Sequence, residues 1–219
     1  MHAVIPLLFA GAVQPMPGDG RPTAIFKRPV LTPAWIGPDG LVGDAQADRR
    51  VHGGPEKAVH QLPIENHRQL ARAFPDLAAQ FVAGALGENL STEGMTDDSV
   101  CIGDVFTLGE AELQVCQPRT PCWKINARHG REGIAAHVER EGLAGWYFRV
   151  LRPGEVRPGE AMRLSARNPD PVSLREFHAL RQTRRPAVAA LQRVATTPGL
   201  TPDWQRRLQQ RIDWLRRNP

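Results

Sequence analysis

Glu110-Ala111-Glu112-Leu113-Gln114-Val115-Cys116-Gln117 runs directly into Pro118-Arg119-Thr120-Pro121-Cys122-Trp123-Lys124, and the first half of that stretch decides the fold class. Ala111, Leu113 and Val115 alternate with Glu112, Gln114 and Cys116, the period of a strand with one buried face. Residues 99–108 supply a partner strand, with Gly103-Asp104 as a tight turn or bulge. Further out, residues 3–13 and 23–31 read as strands around the turn cluster Pro15-Met16-Pro17-Gly18-Asp19-Gly20. Residues 145–151 and 161–166 read as two more, and residues 33–43 as a loop. Ile64, His67, Leu70 and Phe74 have helical spacing that Pro75 ends; residues 77–82 and 133–141 are further short helices. Strands and helices do not alternate regularly. The pattern therefore predicts an α+β domain built on a β-barrel over residues 1–167 rather than a doubly wound sheet.

The rest reads as a small three-helix domain, residues 168–219, after the linker Asn168-Pro169-Asp170-Pro171. Ser173 with Glu176 makes a capping box, Pro186 opens a second helix and Pro198-Gly199 closes it. Thr201 caps a third helix with Pro202 at its first position, and Trp204, Leu208, Ile212 and Leu215 line one face of it.

Composition narrows the class. The chain has 219 residues, 41% hydrophobic and 23% charged, which suits a soluble globular protein. No apolar run approaches 18 residues, so no membrane span is expected. Three cysteines are too few and too odd for a disulfide framework, so a cytoplasmic setting is expected. The net charge of +5 is unevenly placed: residues 170–219 carry +6 and the first 169 carry −1. A basic three-helix tail also describes a nucleic-acid reader, but no aromatic ladder interleaves its arginines and the helix cores use up the visible pattern. Solvated helix faces are the preferred reading, and nucleic acid is not the expected partner.

Chemistry concentrates in three segments. In the first, Pro118 and Pro121 stiffen the chain around Arg119 and Thr120, and Arg119 and Lys124 flank Cys122. Nearby cations favour the thiolate, the form that attacks electrophiles or ligates soft metals. An inert core cysteine remains the competing reading. Cys101 and Cys116 sit inside strand patterns and read as small buried hydrophobes. In the second, His52-Gly53-Gly54-Pro55-Glu56-Lys57 pairs glycines, which let backbone N–H groups approach an anion, with a lysine that supplies a point charge. A plain tight turn competes with that reading. In the third, Gly87-Glu88-Asn89-Leu90-Ser91, Asn89 either bonds a ligand or makes an Asx turn. No P-loop, dinucleotide fingerprint, nucleophile elbow or zinc spacing is present.

Taken in order, Pro15-Met16…Gly20, Gly43-Asp44…Asp48, His52-Gly53-Gly54…Lys57-Ala58, Gly87–Ser91, Ile102-Gly103-Asp104 and Gln117–Lys124 resemble the MOSC family, related to the C-terminal domain of molybdenum-cofactor sulfurases. The helical tail is similar to that of its YiiM-like bacterial subfamily. The resemblance implies a β-barrel-like MOSC domain that binds a molybdenum cofactor, a metal on a pterin dithiolene with a terminal phosphate. Cys122 would be the metal ligand and catalytic residue. His52, Gly53, Lys57, Asn89, Arg119, Thr120 and Lys124 are the candidate cofactor-binding residues. Related members reduce N-hydroxylated compounds, hydroxylated base analogues among them, to amines, a detoxifying activity. The chain carries no flavin, haem or iron–sulfur motif, so a separate electron-donating reductase is implied. Other members act in sulfur transfer, which keeps cofactor-free thiol chemistry at Cys122 as an alternative.

Overall fold

The computed structural model describes residues 3–218, with backbone alone at residues 50 and 51; Met1, His2 and Pro219, at the ends of the two expected domains, lie outside the described residues. In chain order the elements are β1 (Leu7–Ala10), β2 (Gln14–Pro15), β3 (Pro22–Thr23), β4 (Arg28–Pro29), β5 (Ala34–Gly37), β6 (Gly40–Leu41), α1 (Arg49–His52), β7 (Val59–Pro63), α2 (Ile64–Ala73) and β8 (Leu90–Thr92). Then come β9 (Val105–Leu108), β10 (Ala111–Pro118), α3 (Lys124–His129), α4 (Ile134–Glu141), β11 (Trp146–Arg152), β12 (Gly154–Val156), β13 (Arg163–Ala166), α5 (Leu174–Gln182), α6 (Val188–Ala195) and α7 (Pro202–Arg217). Two 3-10 turns, Pro55–Lys57 and Pro75–Gln80, complete the chain.

Eight strands form one curled half-barrel sheet in the order β13-β9-β10-β11-β7-β8-β1-β4. Its pairs are antiparallel except β7 with β8, which run parallel. β10 keeps its alternation to Val115 and then breaks it: Val115 pairs with Phe148 while Gln117 pairs with Tyr147. That bulge inserts Cys116 and re-aims the end of the strand, so that Cys116, Gln117 and Arg119 are all buried.

Several expectations needed correction. Residues 33–43 contain the β5–β6 hairpin, whose Gly37 and Gly40 pair across a Pro38-Asp39 turn; the prolines bound the strands rather than interrupt them. In place of one strand over residues 23–31 the structure has two of two residues each, Pro22–Thr23 and Arg28–Pro29. Residues 99–104 are turns, because Asp104 Oδ2 accepts the Cys101 N–H at 2.9 Å and folds the segment on itself. The helix after Pro186 begins two residues later, at Val188.

Two apolar clusters flank the sheet. One packs α2, α3 and α4 around Leu62, Leu70, Leu86, Ile125 and Val138. The other joins Phe106, Leu113, Val115 and Phe148 of the sheet to Leu174, Phe177, Leu191, Trp204, Leu208 and Ile212 of α5, α6 and α7. The tail is therefore packed into the sheet's own core. Each such side chain, fully buried, contributes on the order of 1.5–3 kcal/mol. Both expected N-caps form: Ser173 Oγ accepts the Glu176 N–H at 3.0 Å, and Thr201 Oγ1 accepts that of Trp204 at 3.4 Å; the Glu176 carboxylate pairs with Arg193 instead of completing the capping box.

Most of the tail's arginines are engaged within the protein. Arg211 donates to the carbonyls of Leu180, Arg181 and Thr183 and so caps the C-terminus of α5. Arg193 pairs with Asp170 and Glu176, Arg181 with Glu139 on α4, and Arg206 and Arg207 with Asp203. Among the described residues, no helix is long and apolar enough to cross a membrane.

Gly145 opens β11 at φ 72°, and a Cβ there would lie 2.0 Å from the backbone oxygen of Gln61. Gly145 also accepts the Arg119 N–H at 2.9 Å. Gly145→Ala is expected to cost about 3 kcal/mol, combining left-handed strain with a backbone clash on the central strand β7. A urea denaturation midpoint unchanged from wild type would contradict this.

Candidate functional site

The bulged end of β10 builds one side of the site. Cys116 Sγ donates to the Glu56 carbonyl at 3.1 Å and Gln117 Nε2 donates to the same oxygen at 2.7 Å. Arg149 holds the Glu56 carboxylate, donating to Oε2 from Nη2 at 2.6 Å and from Nε at 3.0 Å. These bonds pin the Pro55–Lys57 turn against β10 and bring Lys57 to the segment that carries Cys122. Burial pushes the Cys116 thiol up to about 12, so Cys116 stays protonated and acts as a hydrogen-bond donor. Gly54 allows the entry to the turn: at φ 89° and ψ 168° it occupies a region essentially restricted to glycine.

Beyond Pro121 the chain turns into α3, and the Cys122 carbonyl accepts the Ile125 N–H at 3.1 Å. The Cys122 side chain is half-buried, unlike Cys101 and Cys116. It faces a cleft of about 560 Å³. His52, Lys57, Asn89, Arg119 and Lys124 line the same cleft, so six of the eight residues expected from the sequence converge there. Gly53 and Thr120 do not. Gly53 packs against Arg49 and Gln46, where a Cβ would come within 3.1 Å of the Arg49 Cα, and Thr120 points to solvent because its neighbour Arg119 takes the inward position. Asn89 lines the cleft with its amide already committed. Its Nδ2 donates to the Phe9 carbonyl at 3.2 Å and to Asp44 Oδ2 at 2.8 Å, and its Oδ1 accepts the His60 N–H at 3.1 Å.

The cleft also contains groups that the sequence did not single out: Lys27, Asp44, His60 and Tyr147. Lys27 and Asp44 form an ion pair with side chains only 6% and 3% exposed. His60 Nε2 donates to the Ala144 carbonyl at 2.9 Å, which leaves Nδ1 as the unprotonated nitrogen. Burial, reinforced by Arg119, lowers the His60 pKa to about 3. Burial, then Arg119, Lys124 and Lys57, lowers that of His52 to about 4. Both imidazoles are therefore neutral near pH 7. Burial raises the Tyr147 phenol, against the pull of a hydrogen bond from Arg119. Arg119 is itself buried, and among the described residues its Nη1 has no hydrogen-bond partner. An unpaired guanidinium nitrogen on a buried residue at a cleft calls for an anionic or carbonyl acceptor.

Behind the cleft, Glu88 is fully buried and accepts four hydrogen bonds: from His67 Nε2 at 2.7 Å, Ser91 Oγ at 2.9 Å, Gly84 N–H at 2.6 Å and Leu86 N–H at 3.0 Å. It fixes the loop whose Leu86 and Gly87 form part of the cleft wall. Among the described residues, no group of three or more His, Cys, Asp or Glu could hold a metal ion.

Comparison with known proteins agrees with this architecture. The chain is 38% identical over 204 residues to Protein YiiM of Escherichia coli, covering 93% of this chain and 90% of that one. It is 37% identical over 146 residues to a Gibberella moniliformis protein named Reductase, a match spanning 66% of this chain and 26% of the relative. The crystal structure of YiiM from Escherichia coli superposes with a TM-score of 0.81 at 31% identity, over 97% of this chain and 93% of that one. The model of the MOSC domain matches residues 48–163, a span that holds Cys122 and its flanking cations but stops short of Lys27 and Asp44. A match over more than half the length, joined to a near end-to-end relative, establishes that this chain belongs to the MOSC domain family.

Proposed function

We propose that this chain is a molybdenum-cofactor-binding oxidoreductase that reduces N-hydroxylated compounds to amines with electrons from a separate donor protein. The observation that carries the reading is the cleft itself: one half-buried thiol, Cys122, among Lys57, Lys124 and a buried Arg119 whose Nη1 lacks a partner. An organic carrier that brings its own metal ligands fits a site with one cysteine and no cluster of protein ligands. Its phosphate would find donors in Arg119, Lys57 and Lys124. When bound, the cofactor supplies the two-electron redox chemistry. The neutral imidazoles of His52 and His60 add hydrogen-bonding edges without adding charge. The relative named Reductase supports the reaction class.

The test is expression in a host that makes the cofactor, elemental analysis of the purified chain, and assay with an N-hydroxyamidine and a reduced viologen as electron source. Stoichiometric molybdenum with amidine formation is expected. A chain that retains molybdenum yet leaves the N-hydroxyamidine untouched would remove the substrate class, and a chain that acquires no molybdenum would remove the cofactor.

A further inference from the structure

Reduction of an N–O bond consumes protons, so the cleft needs a group able to release one. The side chains that usually do this are unsuited here. His52 and His60 are neutral near pH 7, and the His60 Nε2 proton is committed to the Ala144 carbonyl at 2.9 Å. Arg119 does not deprotonate in a protein. Lys27 differs from all of these. Its side chain is 6% exposed, and the residue lines both the Cys122 cleft and a second cleft beside Phe26 and Arg28. Its ammonium donates to Asp44 Oδ1. Asp44 is fixed independently of Lys27, accepting the Gly11 N–H at 2.8 Å and Asn89 Nδ2 at 2.8 Å. A buried ammonium is thus held by a doubly anchored carboxylate in the wall of the Cys122 cleft.

We propose that Lys27 is the proton donor of the Cys122 cleft and Asp44 its positioning partner, an assignment that rests on the N–O reduction proposed above. The overall step joins one N-hydroxylated substrate, two electrons from the external donor and two protons, and yields one amine and one water. The N–O bond breaks and its oxygen leaves as water. The Nζ–H bond of Lys27 supplies one proton to that oxygen, and solvent supplies the other. The neutral Lys27 amine then recovers a proton from solvent entering the cleft. Asp44, Arg119 and Glu88 are the charged groups acting on Lys27: burial lowers its affinity for a proton, Asp44 opposes that, Arg119 adds to it and Glu88 opposes it weakly. The net direction is downward, towards the range in which an amine both gives and regains a proton.

Two independent measurements test the assignment. The chain has three lysines, Lys27, Lys57 and Lys124, so 13Cε-lysine labelling gives three NMR signals, and loss of one in Lys27→Met assigns Lys27 without any cofactor or substrate. Its titration is expected below the ordinary lysine midpoint of about 10.4; a midpoint at or above that value overturns the proposal. In the cofactor-loaded enzyme, Lys27→Arg keeps the charge opposite Asp44 but cannot release a proton. It is expected to retain wild-type molybdenum and KM while kcat falls about 100-fold, the lower end of general-acid effects. Added methylamine is expected to restore part of the loss in Lys27→Ala. Wild-type kcat in Lys27→Arg would overturn the Lys27 assignment alone. A loaded wild type with no N–O reduction would overturn the functional reading, and this inference with it.

Discussion

Glu88→Ala is expected to destabilise the protein by about 3–5 kcal/mol, because buried donors left without an acceptor each cost about 1–3 kcal/mol. Four donors lose their acceptor together: the N–H groups of Gly84 and Leu86, the Ser91 hydroxyl and His67 Nε2, all aimed at a carboxylate with no solvent exposure. Against a total stability of about 5–15 kcal/mol, this is a large fraction. Its pH signature is distinctive. Burial alone would raise the Glu88 carboxyl, but attraction to His67 and the hydrogen bond from it outweigh burial and hold the group at about 2. The folded value lies below the unfolded one of about 4.3, so stability is fully present above that pH and is lost as pH falls through about 2. Urea melts of wild type and variant at pH 7 and pH 2.5 would show a gap that narrows in acid. A loss under about 1 kcal/mol at pH 7, or a gap that widens in acid, would mean that the carboxylate does not anchor this loop.

Cys122→Ser is expected to abolish turnover while leaving the fold intact. The exchange is nearly isosteric and the position is half-buried, so the change in stability is expected to stay within about 0.5 kcal/mol. Serine keeps the shape but loses the soft sulfur that, on the proposed reading, would ligate the metal. The expected fall in N–O reduction exceeds about 100-fold, beyond the 10–100-fold that loss of a supporting hydrogen bond around a metal costs. On the proposed reading Lys57, Arg119 and Lys124, which line the same cleft, would still hold the anionic end of the cofactor, so its content is expected to fall less than turnover does. Wild-type turnover in Cys122→Ser would dismiss the thiolate as ligand.

What could be read from the chain depended on how local each signal was. β10 announced itself because its alternation is uninterrupted over Ala111–Val115, and Ile64–Ala73 because one apolar face recurs before Pro75. The β5–β6 hairpin stayed hidden because its four- and two-residue strands sit among Pro33, Gly37, Pro38 and Gly40, whose turn chemistry outweighs so short an alternation. The site divides in the same way. Cys122, Arg119 and Lys124 lie in one proline-framed run, and Lys57 in a glycine-marked one, so charge and stiffness were visible together. Lys27, His60 and Tyr147 sit inside or beside strand-like sequence, and only the pairing of β7 with β11 sets His60 opposite Tyr147. Asp44 and Glu88 were within quoted motifs, but their value lies in partners 17 and 21 residues away, which no local pattern encodes. The scarcity of lysine was the one available hint, since all three lysines line the same cleft.

The sheet's apolar cluster is completed by Trp204, Leu208 and Ile212 on α7, which is made after every strand that it helps to cover. At about 5–20 residues per second, the ribosome needs about 3–10 s to add the 52 residues after Arg167. Through that interval Phe106, Leu113 and Phe148 lack their cover, and the nascent chain is at its most adhesive. Burial of the core therefore waits on translation of α7, and the moments before that are when holdase chaperones have most to bind.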